Sequence, residues 1–175
     1  MALTVQNDSG TVTGANAYVT VAVFKAYHDA RGNSYGAAAD ADIEKAIIKA
    51  TDYLDQRFSF RGVRSHVASS QPTAWPRLNV VDGDGNYVSG IPEALKRACS
   101  EYALRALTAE LNPDPVKTDD SGLAVRSVSK TVGPITKNIV YSGVNLVQQL
   151  PSYPAADRLL AAAGLLDSSN QLARA

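Results

Sequence analysis

The sequence has one cysteine, one tryptophan and two histidines, no formal net charge and no long apolar run. Each scarcity excludes something. A single Cys99 forms no intrachain disulfide and builds no multi-cysteine zinc site, so a reducing compartment is expected. The longest apolar stretch, Leu159 to Leu166, already contains Gly164 and falls far short of the ~20 residues that cross a bilayer. The opening residues, Met1 to Asp8, lack the basic start and apolar stretch of a secretory signal. A cytosolic protein made for no membrane is the expectation. Seventeen basic side chains balance seventeen acidic ones, and the isoelectric point near 6.7 is low for a dedicated nucleic-acid binder. What is present in quantity is apolar: 45% hydrophobic against 19% charged residues describes a globular chain, far from the disordered corner. At 175 residues it is long enough to build a core without disulfides or a metal.

Groups able to do covalent or metal chemistry are sparse and scattered. His28 and His66 belong to no His-x-x-x-His or His-Glu-x-x-His pattern that would set two imidazoles on one helix face, and read as surface or internally satisfied histidines. Cys99 falls on an apolar helix face, where a thiol acts as a small hydrophobe. Gly32-Asn33-Ser34-Tyr35-Gly36 fits Gly-x-Ser-x-Gly in letters, but a nucleophile elbow follows a strand, and here a helix ends instead. Asp52 and Asp55, three apart on a helix with Lys49 and Arg57 close by, read as a surface ion network. Asp82, Asp84, Asn86 and Glu93 stand at the first, third, fifth and twelfth positions of a calcium loop. Tyr87 occupies the sixth position, where that loop turns on glycine, so a hairpin tip explains the residues better. No phosphate-binding glycine loop occurs. We therefore expect no catalytic residues, no cofactor and no metal.

Periodicity supplies the elements. An extended arm covers residues 1–14. Thr20 is placed to cap a helix carrying Val21, Phe24, Tyr27 and His28 and stopped by Arg31-Gly32-Asn33. A second helix, capped by Asp40 or Asp42, carries Ile43, Ala46, Ile47, Ala50, Leu54 and Phe58 as one stripe, with Gly62 as its stop. Residues 63–91 read as a long loop or hairpin. Pro92 opens a third helix whose face is Leu95, Ala98, Cys99, Tyr102, Ala103, Ala106 and Leu107. The β-branched stretches Leu123 to Val132 and Ile135 to Tyr141 flank Gly133-Pro134 as a hairpin. A short helix from Asp157 to Ala163 is closed by Gly164, with a loose tail after it. The expected fold is mainly α: a single domain with a bundle of three to four helices (core 15–111), an inserted β hairpin (121–143), a short helix and C-terminal tail (154–175) and extended terminal arms.

The zero charge balance conceals segregation. From Gln56 to Val81 the chain holds Arg57, Arg61, Arg64 and Arg77 and no carboxylate; from Ser121 to Ala156 it holds Arg126, Lys130 and Lys137 and none. Either stretch reads as a solvated face paired with acids elsewhere, or as a contact with a polyanion or an acidic partner. The first interleaves its bases with Phe58, Phe60 and Trp75, as single-strand binders do. Candidate contact residues are therefore Arg57, Arg61, Arg64, Trp75, Arg77, Arg126, Lys130 and Lys137. Phe58 on a core stripe and Trp75 before a proline argue equally for packing.

The order of these segments resembles the head-to-tail connector (adaptor or head-completion) proteins of tailed bacteriophages, a family often labelled DnaT-like single-stranded DNA-binding proteins. The resemblance is carried by Ala17-Tyr18 with Tyr27-His28-Asp29-Ala30-Arg31-Gly32; Ala46-Ile47-Ile48-Lys49-Ala50-Thr51-Asp52-Tyr53-Leu54-Asp55; Arg61-Gly62; Gln71 with Trp75-Pro76-Arg77; and Ile91-Pro92 leading into Ala98-Cys99-Ser100-Glu101-Tyr102-Ala103. It spans roughly residues 15–111. Tyr35 stands where the pattern has tryptophan. The resemblance implies a helical bundle with an inserted hairpin, assembled as a dodecameric homo-oligomer ring in the virion neck. Its partners would be the portal protein and a tail or nozzle protein, with DNA passing through the channel and no reaction catalysed. A single-stranded DNA-binding replication accessory protein is the alternative.

Overall fold

The computed structural model describes residues 2–66, 70–113, 125–131, 136–141 and 152–167. They form helices α1 (Val21–Asp29), α2 (Asp40–Arg57), α3 (Glu93–Ala106) and α4 (Pro154–Ala162). Two short strands, β1 (Val63–Arg64) and β2 (Arg77–Leu78), pair with each other, and a longer pair is β3 (Val125–Thr131) with β4 (Thr136–Tyr141). The fold is mainly helical with an inserted hairpin, as the periodicity indicates. The chain divides into two compact units, residues 1–111 with 152–175, and residues 112–151. Among the described residues no helix is long and apolar enough to cross a membrane.

In the helical unit, local chemistry decides where each helix begins and ends. Thr20 caps α1, its hydroxyl accepting from the Val23 N–H at 3.2 Å. Helix α2 differs from expectation at both ends. Ala39, which offers no side-chain acceptor, is the residue ahead of it, and Asp40 and Asp42 lie inside its first turn. There the two carboxylates complement the amino end of the helix dipole without capping it. The helix stops at Arg57 rather than Gly62, because Phe58 turns extended and brings its ring toward Phe60. Gly62 serves the next turn, at φ +73°, where a Cβ would meet the Leu78 carbonyl at 2.2 Å. Pro92 stands just before α3, and α4 starts three residues earlier than its apolar spacing suggests, with Pro154 in the first turn.

The stripe on α2 buries Ile43, Ala46, Ile47, Ala50 and Leu54 against Leu95, Ala98, Cys99, Tyr102 and Ala103 of α3. Ala156 and Leu160 of α4 and Phe24 of α1 complete the core. Tyr53, Tyr102 and Tyr153 meet edge to face or tilted, with centroids 5.1 to 6.1 Å apart. The N-terminal segment is extended but lies on its own core. The Gln6 N–H donates to the Ala17 carbonyl, buried Gln6 reaches Thr73, and Asp8 accepts from the Ile91 N–H at 3.0 Å. At the other end Leu165 and Leu166 are buried, and Arg61 and Asp167 tie the strand-like 165–167 segment to residues 59–61. Asp167, expected to open a loose tail, is thus held to Ser59, and the rest of that expected tail, residues 168–175, lies outside the described residues.

In the second unit, β3 and β4 are antiparallel, pairing Val128 with Ile139, Ser129 with Asn138, Lys130 with Lys137 and Thr131 with Thr136. The register shifts between Val125 and Ser127, leaving Arg126 at a bulge. The Gly133-Pro134 turn and the expected outer limits at Leu123, Val132 and Ile135 lie outside the described residues.

Candidate nucleic-acid interface

Within the basic and aromatic stretch between Gln56 and Val81, the Trp75 loop is held by a polar hub that no spacing rule announces. Asp55 accepts from the Tyr18 hydroxyl at 2.5 Å and from the Ala74 N–H at 2.8 Å, while the Tyr18 oxygen accepts from the Trp75 N–H at 3.2 Å. Gln71, fully buried, donates to the carbonyls of Thr73 and Pro76 and accepts from the His66 N–H. The Trp75–Pro76 peptide is cis. Burial pushes the Asp55 carboxyl up to about 6, against the hydrogen bonds from Tyr18 and Ala74 and the Arg64 charge that pull it down. Burial and the Asp55 charge raise the Tyr18 phenol well above its ordinary value. The surface ion network expected of Asp52 and Asp55 is thus corrected. Asp52 is exposed, Lys49 pairs with Glu110 at 2.5 Å, and Asp55 instead anchors the Trp75 loop to α2. The signal was available in part: Asp55 sits four residues after buried Thr51 and eight after buried Ile47, on the edge of the core stripe.

Of the candidate contacts in this stretch, three serve the fold. Trp75 is completely buried, its ring edge-on to Phe60 with centroids 5.8 Å apart, so neither ring face is open to a base. Arg57 donates to the Tyr53 hydroxyl, pairs with Asp157 at 3.4 Å and lies over the Tyr53 and Phe58 rings. Tyr102 donates to the other Asp157 oxygen, so one carboxylate joins α2, α3 and α4. Arg77 uses its guanidinium on three backbone carbonyls, those of Arg61 and Gly62 at 2.7 Å and Ala74 at 3.2 Å. Arg61 and Arg64 remain exposed, beside an exposed pair, Val63 and Leu78, that are register partners across β1 and β2. In the other basic stretch Lys130 and Lys137 are direct register partners, Arg126 is at the bulge, and Lys137 is exposed. The candidates therefore fall into two groups, Arg61 with Arg64 on the helical unit, and Arg126, Lys130 and Lys137 on the hairpin.

The whole chain, residues 1–175, matches the family described as "Putative DnaT-like ssDNA binding protein". The chain belongs to that family. No curated protein and no solved structure matches it.

Of the remaining reactive groups in this family member, His66 is exposed with its Nε2 3.0 Å from the Ser9 carbonyl, and the others are used internally. His28 is fully buried, its Nε2 3.0 Å from the Ser100 carbonyl and its Nδ1 3.2 Å from the Asn33 amide, and burial lowers its pKa below the ordinary imidazole value. Cys99 is buried beside Thr51, and burial pushes its thiol up to about 12. Asp82 accepts from the N–H groups of Asp84 and Asn86 at 2.9 and 2.8 Å, and the Asn86 bond leads in lowering its pKa. Its carboxylate thus organises the hairpin tip, which the Val81–Tyr87 bridge closes. Among the described residues no three metal-ligating side chains gather. A groove of about 440 Å³ between the start of α2 and the end of α3 carries Lys45 and Lys49 on its wall, each held by a carboxylate, Asp42 and Glu110.

Proposed function

We propose that the protein is a structural virion subunit, a head-to-tail adaptor that assembles as a dodecameric ring between the portal and a tail or nozzle protein and lets DNA pass through the ring. The observation that supports this best is that the hairpin lies in a compact unit of its own, inserted in the chain between α3 and α4 of the helical unit. A ring subunit meets its neighbours through two different faces, and an inserted hairpin adds contact area without enlarging the core. In this reading the helices form the ring, the C-terminal segment docks on the portal and the hairpin faces the next tail component. The protein catalyses no reaction, takes no cofactor, is made in the host cytoplasm and resides in the virion neck. Cryo-electron microscopy of the neck is expected to show a ring containing this chain; a neck without it overturns the reading.

The family description favours a second reading, a single-stranded DNA-binding replication accessory protein. Arg61 and Arg64 are its best residues in the helical unit. Its weakness is the lack of a stacking platform: Trp75 and Phe60 are buried, and Tyr87 is the well-exposed aromatic ring among the described residues, at 81%. Fluorescence anisotropy with single- and double-stranded oligonucleotides at about 0.15 M salt separates the two. An affinity for single strands at least ~10 times that for duplex supports the accessory protein, since base stacking needs unpaired bases. Equal or negligible affinities support the adaptor.

A further inference from the structure

We propose that copies of this chain join face to groove, the exposed β1–β2 face of one seating in the recess between α2 and α3 of the next. The inference rests on the adaptor reading, in which each subunit meets its neighbours through two different faces, and it names those faces.

The helical unit carries an apolar projection and an apolar recess that do not meet within one copy. Val63 and Leu78 are direct register partners, 57% and 52% exposed, so two aliphatic side chains stand together on the β1–β2 pair. The recess is the groove of about 440 Å³, whose lining includes Ala38, Ala46, Ala106 and Leu107. It lies beside the first half of α2, from Asp42 to Lys49. Strand β2, by contrast, starts shortly after Ala74, whose N–H is bonded to Asp55 in the last turn of α2. Between Asp42 and Asp55 the helix rises ~20 Å, so a copy does not fill its own groove.

Charge follows the same polarity. From Gly32 to Glu44 the chain has Asp40, Asp42 and Glu44 and no base, while from Gln56 to Val81 it has four arginines and no acid. Arg57 and Arg77 are held by their own fold. Arg61 and Arg64 are left exposed, with no ion pair among the described residues. At the groove, Asp42 and Glu110 are exposed and hold Lys45 and Lys49 on its wall. An arriving guanidinium can bind a carboxylate through two parallel N–H bonds, which a lysine cannot, so arginines from a neighbour compete for those acids. A face and a recess at different places on the subunit make a heterologous contact, which runs from copy to copy until the rotation closes.

Sedimentation velocity of the full-length protein at about 10 μM to 1 mM in ~0.15 M salt reads the association. The wild type is expected to pass beyond the dimer as concentration rises, because a heterologous pair leaves one face open at each end. Val63→Ser/Leu78→Gln, Arg61→Glu/Arg64→Glu and Asp42→Lys/Glu110→Lys are each expected to weaken association at least ~10-fold. Arg97→Glu/Arg158→Glu reverses two exposed charges that belong to neither face, and is expected to stay within about twofold of wild type. Each charge-reversed variant alone sets like charges against each other. An equimolar mixture of Arg61→Glu/Arg64→Glu with Asp42→Lys/Glu110→Lys sets opposite charges at every mixed junction, and assembly is expected to return. Circular dichroism melting checks that each variant folds. Four results overturn the assignment: a wild type still monomeric at ~1 mM; association that stops at a dimer; unchanged association when either face is altered; or a mixture of folded variants that does not assemble. A neck ring joined through other surfaces refutes these faces and leaves the adaptor reading standing. Face-to-groove assembly in solution, with a neck that lacks the chain, does the reverse.

Discussion

Asp55 shows how a single side chain can carry a local charge penalty and a tertiary link together. Its folded pKa of about 6 lies above the ordinary 3.8, so the folded protein holds this proton more firmly than the unfolded chain does. The group's contribution to stability is therefore full below about 3.8 and is lost as pH rises through about 6. At neutral pH the ionised carboxylate is retained because it accepts from Tyr18 and Ala74 and faces Arg64. Urea unfolding of wild type and Asp55→Asn is expected to show the wild type losing about 2–3 kcal/mol relative to the variant between pH 4 and 7.5; a constant difference contradicts the assignment. Trp75, the sole tryptophan, reports on the same hub. Its emission is expected to be blue-shifted, poorly quenched by acrylamide and unmoved by oligonucleotide. At this scale the sequence was legible in type and illegible in partner. Interleaved arginines and aromatics look alike whether they stack bases or each other, and only the long-range bonds from Tyr18 to Asp55 and Trp75 separate the cases.

Helices were read well where a periodic face met a core and poorly where one residue set a boundary. The α2 stripe and the α3 face need only spacing, and both are buried over most of their length, from Ile43 to Leu54 and from Leu95 to Ala103, while Phe58, Ala106 and Leu107 at their ends are half-buried. Caps depend on a single dihedral. Asp40 and Asp42 are good capping residues placed one and three positions too late, and Ala39 occupies the site with extended geometry, φ −68° and ψ 152°. That site is ready for a hydroxyl. Ala39→Ser is expected to stabilise the protein by about 1 kcal/mol, read as a raised midpoint in thermal unfolding. A lowered midpoint would show that the loop before α2 cannot accept the change. The calcium-like spacing from Asp82 to Glu93 illustrates the opposite hazard, a motif legible in letters whose leading carboxylate closes its own turn.

The charge neutrality of the whole molecule nearly holds within each unit, residues 112–151 carrying four bases and three acids, and the segregation is local to short stretches of chain. The carboxylates of the helical unit bind its cations at Lys25, Lys49, Arg57 and Arg105, while the paired strands of the hairpin carry three cations and no acid. Composition could expose that segregation, but it could not reveal that the hairpin belongs to a compact unit of its own. The helical unit closes behind the insertion, with the Tyr153 hydroxyl donating to the Leu111 carbonyl at 3.4 Å. Replacing residues 114–150 by a short Gly-Ser linker is accordingly expected to leave a cooperatively melting helical protein, checked by circular dichroism; a molten product would show that the hairpin unit is needed for the core. The juncture at Leu111 and Tyr153 also has a mechanical meaning. Residues 111 and 153, where the chain leaves and re-enters the helical unit, are held to each other, and α3 and α4 on either side of them are both clasped to α2 through Asp157. The gap that an insertion leaves in a chain is thus sutured inside the helical unit, so α3 and α4 keep their places on α2 by bonds of their own.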